Sequence, residues 1–483
     1  MISRRRPASL FLIFLFYLAF PLACSGQDEY SPYPGIIHIH SNISQGGVYS
    51  LRRLSDRARE SGIRILVFGD DFLRRWEYGP PVFSRTVKIS IEEPSASRYG
   101  IKKYLQELEQ ARKENPGMLL LEGFEVAPFY WWSGSVFRKN LTMNDWNRHL
   151  LVTGLNSSRD YEFLPVTGNR YLFPRQKDLP GSLTCLFLTA AGIFFLKKKN
   201  RKGFLGMSAV IAGILYFFAI FPFSSSRFNP FQGYKNFLPY QELIDYVRLK
   251  GGAVFWAHPE TSETASGGRF MGAKFYTPPY PESLEITSGY TGFCVNLRYS
   301  KSCELILPGG EWDRVLISYC ERKRLDPAWV IGEMDYRREG PLDIVQNIFL
   351  LPEFKAESAY DALRKGRLYV RYYSKEKINI SLDDFHVEGS EGGQKAFMGN
   401  SLKLKSKPVL KIKGDCAVDT AEPLRLEIIR YGKIVKVYPL DNRGKFDLIF
   451  EDDPAPNRKS YYRLNFLAGS RLLLASNPVF IET

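Results

Sequence analysis

The sequence predicts an α/β domain on a parallel sheet, split by a transmembrane helical hairpin and followed by an antiparallel β-sandwich. Three observations carry this. Short, continuously apolar strands alternate with helical stretches through most of the chain, as strands covered on both faces do. Two uncharged apolar runs, residues 179–196 and 203–223, stand side by side, each close to the roughly 20 residues that cross a bilayer as a helix. From about Ile378 to Thr483 the texture changes to short alternating runs separated by turn residues.

Residues 1–24 read as an export signal. A basic start (Arg4, Arg5, Arg6) precedes an apolar run from Leu10 to Leu22 and the small residues Ala23-Cys24-Ser25. Leu22-Ala23-Cys24 is also similar to the end of a bacterial lipoprotein signal, in which the cysteine becomes lipidated; an uncleaved anchor is the alternative. Either way the chain beyond is expected to cross the membrane.

The connection between the two apolar runs, Lys197-Lys198-Lys199-Asn200-Arg201-Lys202, is almost wholly basic. The positive-inside rule puts it in the cytoplasm and both flanks outside. The expected location is therefore the bacterial cytoplasmic membrane, with the α/β domain on the periplasmic, extracytoplasmic side. The formal charge of +15, from 66 Lys and Arg against 51 Asp and Glu, is read mainly as this topology. The expected partners are the lipid bilayer and an anionic small-molecule or envelope substrate, not nucleic acid. The 483 residues, 45% hydrophobic and 24% charged, suit two or three folded domains.

Within the α/β part a helix over Ser50–Glu60 ends at Gly62, and the apolar strand Ile63–Phe68 delivers Gly69-Asp70-Asp71. A helix from about Tyr99 to Glu114 stops at Asn115-Pro116-Gly117, and strand Met118–Leu121 delivers Glu122-Gly123-Phe124-Glu125. His149 opens a strand over residues 150–154. Past the hairpin, Tyr240, Leu243, Ile244 and Val247 keep helical spacing up to Gly251-Gly252, and strand Ala253–Ala257 delivers His258-Pro259-Glu260. A helix over Glu311–Arg324 leads to strand Trp329–Ile331 and then Gly332-Glu333-Met334-Asp335.

In parallel α/β folds the active site gathers at the carboxyl ends of the strands. Asp70, Asp71, Glu125, His258 and Asp335 all stand there. Helix capping is the alternative role for an aspartate; it accounts for neither the histidines nor Glu125. Of the five histidines, His38 and His40 lie one residue apart on an apolar strand, so both face one side and can chelate one ion. His386, alone in the β-rich tail, reads as structural. The six cysteines show no CxxC spacing, and Cys294 with Cys303 reads as either a disulfide or two free thiols.

The series His38-Ile39-His40, Gly69-Asp70-Asp71, Gly123-Phe124-Glu125, His149, Ala257-His258-Pro259 and Asp335-Tyr336-Arg337 resembles the PHP (polymerase and histidinol phosphatase) superfamily over residues 33–375. The resemblance implies a distorted (β/α)7 barrel, interrupted here by the hairpin, that holds divalent metals and hydrolyses phosphoesters. The β-rich segment 378–483 is similar to the tail of membrane-associated or exported members, including a carbamate-hydrolase-like branch. By resemblance, His38, His40 and Asp335 bind a first metal, Glu125 bridges, and His149 with His258 completes a second. The mixed imidazole and carboxylate donors suit Zn, Mn or Fe.

The chain departs from the family at the third metal. Its ligand positions read Gln45 or Gly46, Asp71 and Arg337, of which only Asp71 is an ordinary ligand. Two readings of Arg337 stay open: a fork for a substrate phosphate or carboxylate, or an ion pair with Asp71. Asp70, Asp71 and Glu260 are candidates for the general acid, and Glu285 for a supporting or ion-pair role. The expected function is a membrane-tethered, metal-dependent phosphoesterase with a binuclear centre. The alternatives are a carbamate, amide or ester hydrolase, and a non-catalytic binding module on a decayed barrel.

Overall fold

The computed structural model describes residues 30–79, 87–172, 179–197, 201–220, 228–267, 272–456 and 458–483. The expected export signal at 1–24 and its Cys24 lie outside these residues, as do residues 198–200 of the basic connection.

Two sheets of mixed direction enclose one interior. In the first, strand Ser31–Ile39 runs parallel to Ile65–Phe68, which runs parallel to Leu119–Leu121. On its other edge Ser31–Ile39 meets Val345–Leu351 antiparallel, and that strand meets Leu368–Tyr372 antiparallel. The second sheet orders Trp329–Gly332, Gly292–Val295, Ala253–Trp256, Leu150–Thr153, Gly123–Val126 and Asp70–Asp71. These strands are apolar at nearly every position because both faces are covered. Ile37, Val67, Leu121, Leu151, Phe255 and Ile331 point inward. Ile36, Leu66, Leu120, Val152, Val254 and Trp256 point outward, toward a cluster that includes helix residues such as Tyr104 and Leu243. Helix Ala356–Lys365 stoppers the interior with Ala359, Ala362 and Leu363 at the end opposite the histidines.

This corrects the expectation of one parallel (β/α)7 barrel. Leu150–Thr153 runs antiparallel to both of its neighbours, with Leu150 opposite Val126 and Trp256. The chain leaves Gly123–Val126, makes an excursion through Trp131–Ser133 and Thr142–Asn144, and re-enters at the end it left. That reversal is why His149, at the start of its strand, shares an end of the sheet with Glu125 and His258.

The transmembrane hairpin is the second correction. Residues 179–196 and 201–220 are helical, yet among the described residues no helix is long and apolar enough to cross a membrane. Pro180, Thr184 and Thr189 interrupt the first apolar run, and Ser208 the second. Thr184, Thr189 and Ser208 return their hydroxyls to their own helix backbone. The two helices meet closely through Gly192, Gly206 and Gly213, where an added Cβ would strike the facing helix. With the spanning helices goes the basis for placing the protein at the cytoplasmic membrane, on either side of it.

From Ile378 onward two sheets face each other over a second apolar cluster that includes Ile380, Leu410, Leu426, Leu464 and Phe466. One of them continues the first α/β sheet, because Arg471–Ser476 pairs antiparallel with Leu368–Tyr372. Side chains close the remaining gap. Asn347 bonds both the N–H and the carbonyl of Gly332, at 2.7 and 2.8 Å, and Asn477 does the same for Val330, at 2.9 and 3.0 Å. These amides supply the ladder bonds that strand Trp329–Gly332 lacks along that edge. Deep in the same junction, Arg463 makes a fully buried two-pronged pair with Asp313, at 2.7 and 2.8 Å. Cys294 and Cys303 are buried free thiols, which settles the disulfide alternative.

Candidate metal centre

The site is built around the carboxylate of Glu125, 2% exposed. Its Oε1 lies 2.6 Å from His149 Nδ1, 3.0 Å from His258 Nε2 and 3.3 Å from His38 Nε2. Its Oε2 lies 3.5 Å from His40 Nε2. Asp335 Oδ1 completes the far side, 3.2 Å from His40 Nε2 and 3.9 Å from His38 Nε2. Two donor sets result, His38–His40–Glu125–Asp335 and Glu125–His149–His258, each with its ligand atoms within 4.8 Å of one another. Glu125 belongs to both.

The backbone is bent to achieve this. Strand Ser31–Ile39 slips register at His38, whose φ is +69°, and His40 lies just past the strand end. His258 (+33°) and Asp335 (+41°) are also left-handed. Such conformations cost about 1–3 kcal/mol each and persist where the surroundings over-determine them. Gly69 makes room for the bend, since a Cβ there would lie 2.5 Å from His38 Cδ2.

The histidine protons are assigned by their outer partners. His38 Nδ1 lies 2.9 Å from Glu333, an acceptor only, so it carries the proton and donates. His40 Nδ1 lies 3.2 Å from Ser44 Oγ, whose single proton goes to Asp70 at 2.6 Å. His40 must therefore donate to Ser44. Both Nε2 atoms then face inward, buried, and like His149 Nδ1 they meet only the carboxylate oxygens of Glu125 and Asp335. Buried imidazole nitrogens converging on shared carboxylate oxygens fit a divalent cation, the group that satisfies imidazole lone pairs and carboxylate charge together.

The electrostatics agree. Burial raises the cost of ionising Glu125, but His149, His38 and Arg337 hold it well below the usual carboxylate range. Burial likewise opposes ionised Asp335, but Arg337, His40 and His38 together outweigh it and again leave the group well below the usual range. Burial disfavours a charged His258, yet the hydrogen bond to Glu125 and nearby acids lift it to about 9. Without metal, protons on His38 and His258 help balance the carboxylates.

Arg337 lies across the cluster. Its Nη1 donates to Asp71 (3.1 Å) and to the Gln45 carbonyl (3.0 Å), its Nη2 to Glu125 (2.6 Å) and its Nε to Asp335 (3.1 Å). Four of its five N–H groups are thus used, and it cannot present a free two-pronged fork. Asp71 pairs with Arg337 and, at 3.4 Å, with Arg74. Asp70 faces away from the donor atoms: it accepts from Ser41 N (2.7 Å), Ser41 Oγ (2.9 Å), Ser44 Oγ and Tyr104 OH (2.8 Å), anchoring the loop that carries His40. Glu285 pairs with Arg314 on the surface and His386 with Asp384 in the C-terminal sheets, both outside the donor sets.

Sequence reasoning gave no role to Glu333 or Ser44. Glu333 had a signal, since it sits two residues before Asp335 at the end of an apolar strand. Ser44, in a turn, had none.

No family model and no curated protein matches the chain. Among solved structures, a two-domain protein containing a predicted PHP-like metal-dependent phosphoesterase, from Bacteroides vulgatus, is similar at 11% identity over 94% of this chain and 96% of that one. Its TM-score is 0.37, a likeness too distant to bear on function.

Proposed function

We propose that the chain is a metal-dependent hydrolase of phosphoesters with a binuclear centre. The observation that carries this is the double use of Glu125, whose Oε1 meets His149 and His258 while its Oε2 faces His40. His38, His40 and Asp335 would hold one ion, His149 and His258 the other, and Glu125 would join them. Two ions so held supply Lewis acidity and an activated water for displacement at phosphorus. Zn, Mn or Fe suits these donors.

The protein's own groups do the rest. Glu333 and Ser44 keep the two inward nitrogens of His38 and His40 unprotonated and aimed. Arg337 stands as a fixed cation where the related pattern has a third metal, balancing Asp71, Glu125 and Asp335. Its remaining N–H is the one donor it can offer a substrate oxygen. Asp71 is buried, but Arg337, Arg74 and His40 together hold it below the usual carboxylate range, so it is ionised. That suits it to orienting Arg337 rather than to donating a proton.

The test is phosphate release from a panel of phosphomonoesters and phosphodiesters by protein stripped and reloaded with Mn or Zn. Activity should require metal and fall at least about 100-fold in Asp335→Asn. Metal-loaded protein that cleaves carboxylic esters or carbamates but no phosphoester would overturn the substrate class.

A further inference from the structure

The metal centre opens into a cleft of about 760 Å³. Its inner wall includes His258, Glu333 and Asp335; its outer wall is the loop after strand Gly292–Val295, with Arg298 and Lys301. The volume is that of a small-molecule site, far larger than a phosphate group needs.

Arg298 is held in place entirely by neutral acceptors. Its Nε donates to Asn296 Oδ1 (3.0 Å) and its Nη2 to the carbonyl of Met334 (2.9 Å), the residue before Asp335. Its own backbone N–H donates to the same Asn296 oxygen at 3.2 Å, so the loop and the side chain are fixed together. Among the described residues no carboxylate lies within ion-pair distance of Arg298 or Lys301. Arg337, by contrast, is paired with three acids and keeps a single N–H free. Arg298 therefore keeps its whole charge and both Nη1 hydrogens for a ligand, next to the metal ligands and already oriented. Glu260 and Glu263 also line the cleft, on the segment after His258, so Arg298 and Lys301 are its basic side chains.

We propose that Arg298, assisted by Lys301, is a second anion subsite, and that the substrate is a phosphoester bearing a further carboxylate or phosphate a few bonds from the ester. This rests on the phosphoesterase reading. It does not follow from that reading, since a binuclear centre alone would accept any accessible phosphoester.

The experiment is calorimetric titration of the full, Mn-loaded chain with non-hydrolysable phosphonates. Three series of matched length are compared: plain alkylphosphonates, ω-carboxyalkylphosphonates from phosphonopropionate to phosphonohexanoate, and alkane bisphosphonates. One charge-assisted contact makes the doubly anionic ligands bind on the order of tenfold tighter at the fitting length. Arg298→Ala should erase that gain and leave the alkylphosphonates unchanged, and Arg298→Lys should restore part of it. Whether the carboxylate or the bisphosphonate series gains more identifies the second group. Equal affinities at every length, or an Arg298→Ala loss shared by all three series, would overturn the subsite. Failure of every phosphonate to bind would instead overturn the phosphoester reading on which it rests.

Discussion

Replacing Arg337 with methionine removes the one cation shared by three acids while keeping much of the side chain's bulk. Its pairs with Glu125 (2.6 Å) and Asp71 (3.1 Å) involve carboxylates 1% and 4% exposed, whereas the Asp335 partner is 39% exposed and screened by solvent. Breaking a buried pair from one side costs about 3–5 kcal/mol, because the remaining charge is left uncompensated. The Asp335 contact adds less than about 1 kcal/mol. At about 1 °C per kcal/mol for a chain of this length, metal-free Arg337→Met should therefore melt about 3–5 °C below metal-free wild type. Divalent metal should recover more stability in the variant than in wild type, since the ions neutralise the same acids. The assay is thermal unfolding in chelator and again after reloading. A metal-free variant as stable as wild type would refute the view that Arg337 balances this cluster.

Other perturbations read other parts of the account. Glu333→Gln keeps the shape but takes the charge from behind His38, and should weaken metal binding about 10–100-fold in a chelator competition at unchanged fold; an unchanged affinity would remove Glu333 from the site. Asn477→Ala deletes bonds to Val330 N, Val330 O and Leu368 O. It should cost about 2–3 kcal/mol in chemical unfolding and show that the C-terminal sheets brace the strand leading to Asp335; no loss would make that contact incidental. In the metal-free protein His258 titrates at about 9 against an ordinary 6.5. A raised pKa gives stability that is complete below 6.5 and lost as pH rises through 9, on the order of 3 kcal/mol in all. Melting in chelator should fall across that window, and stability rising with pH there would contradict the assignment.

The donor residues were legible because metal chemistry restricts residue type. Few histidines occur, and His38, His40, Glu125, His258 and Asp335 each sit at a strand end that apolar runs and glycine stops mark clearly. Strand direction was not legible: Leu150–Thr153 has the same apolar composition whichever way it runs, and only the return path of the excursion before it sets its direction. The apolar runs at 179–196 and 203–223 misled for a related reason. Absence of charge is common to a spanning helix and to two helices packed through Gly192, Gly206 and Gly213, and the sequence alone does not separate them. Arg337 was recognised as a departure, but whether its guanidinium faced a ligand or the acids around it depended on Asp71 and Glu125, both more than 200 positions away.

The most direct measurement is the metal content per chain of purified protein after stripping and reloading, beside Glu125→Ala. Two ions in wild type and their loss in the variant are the predicted result, because Glu125 belongs to both donor sets. Essentially no metal in wild type, even after reloading with Mn or Zn, would contradict the binuclear centre and leave a binding module; three ions would contradict the role given to Arg337.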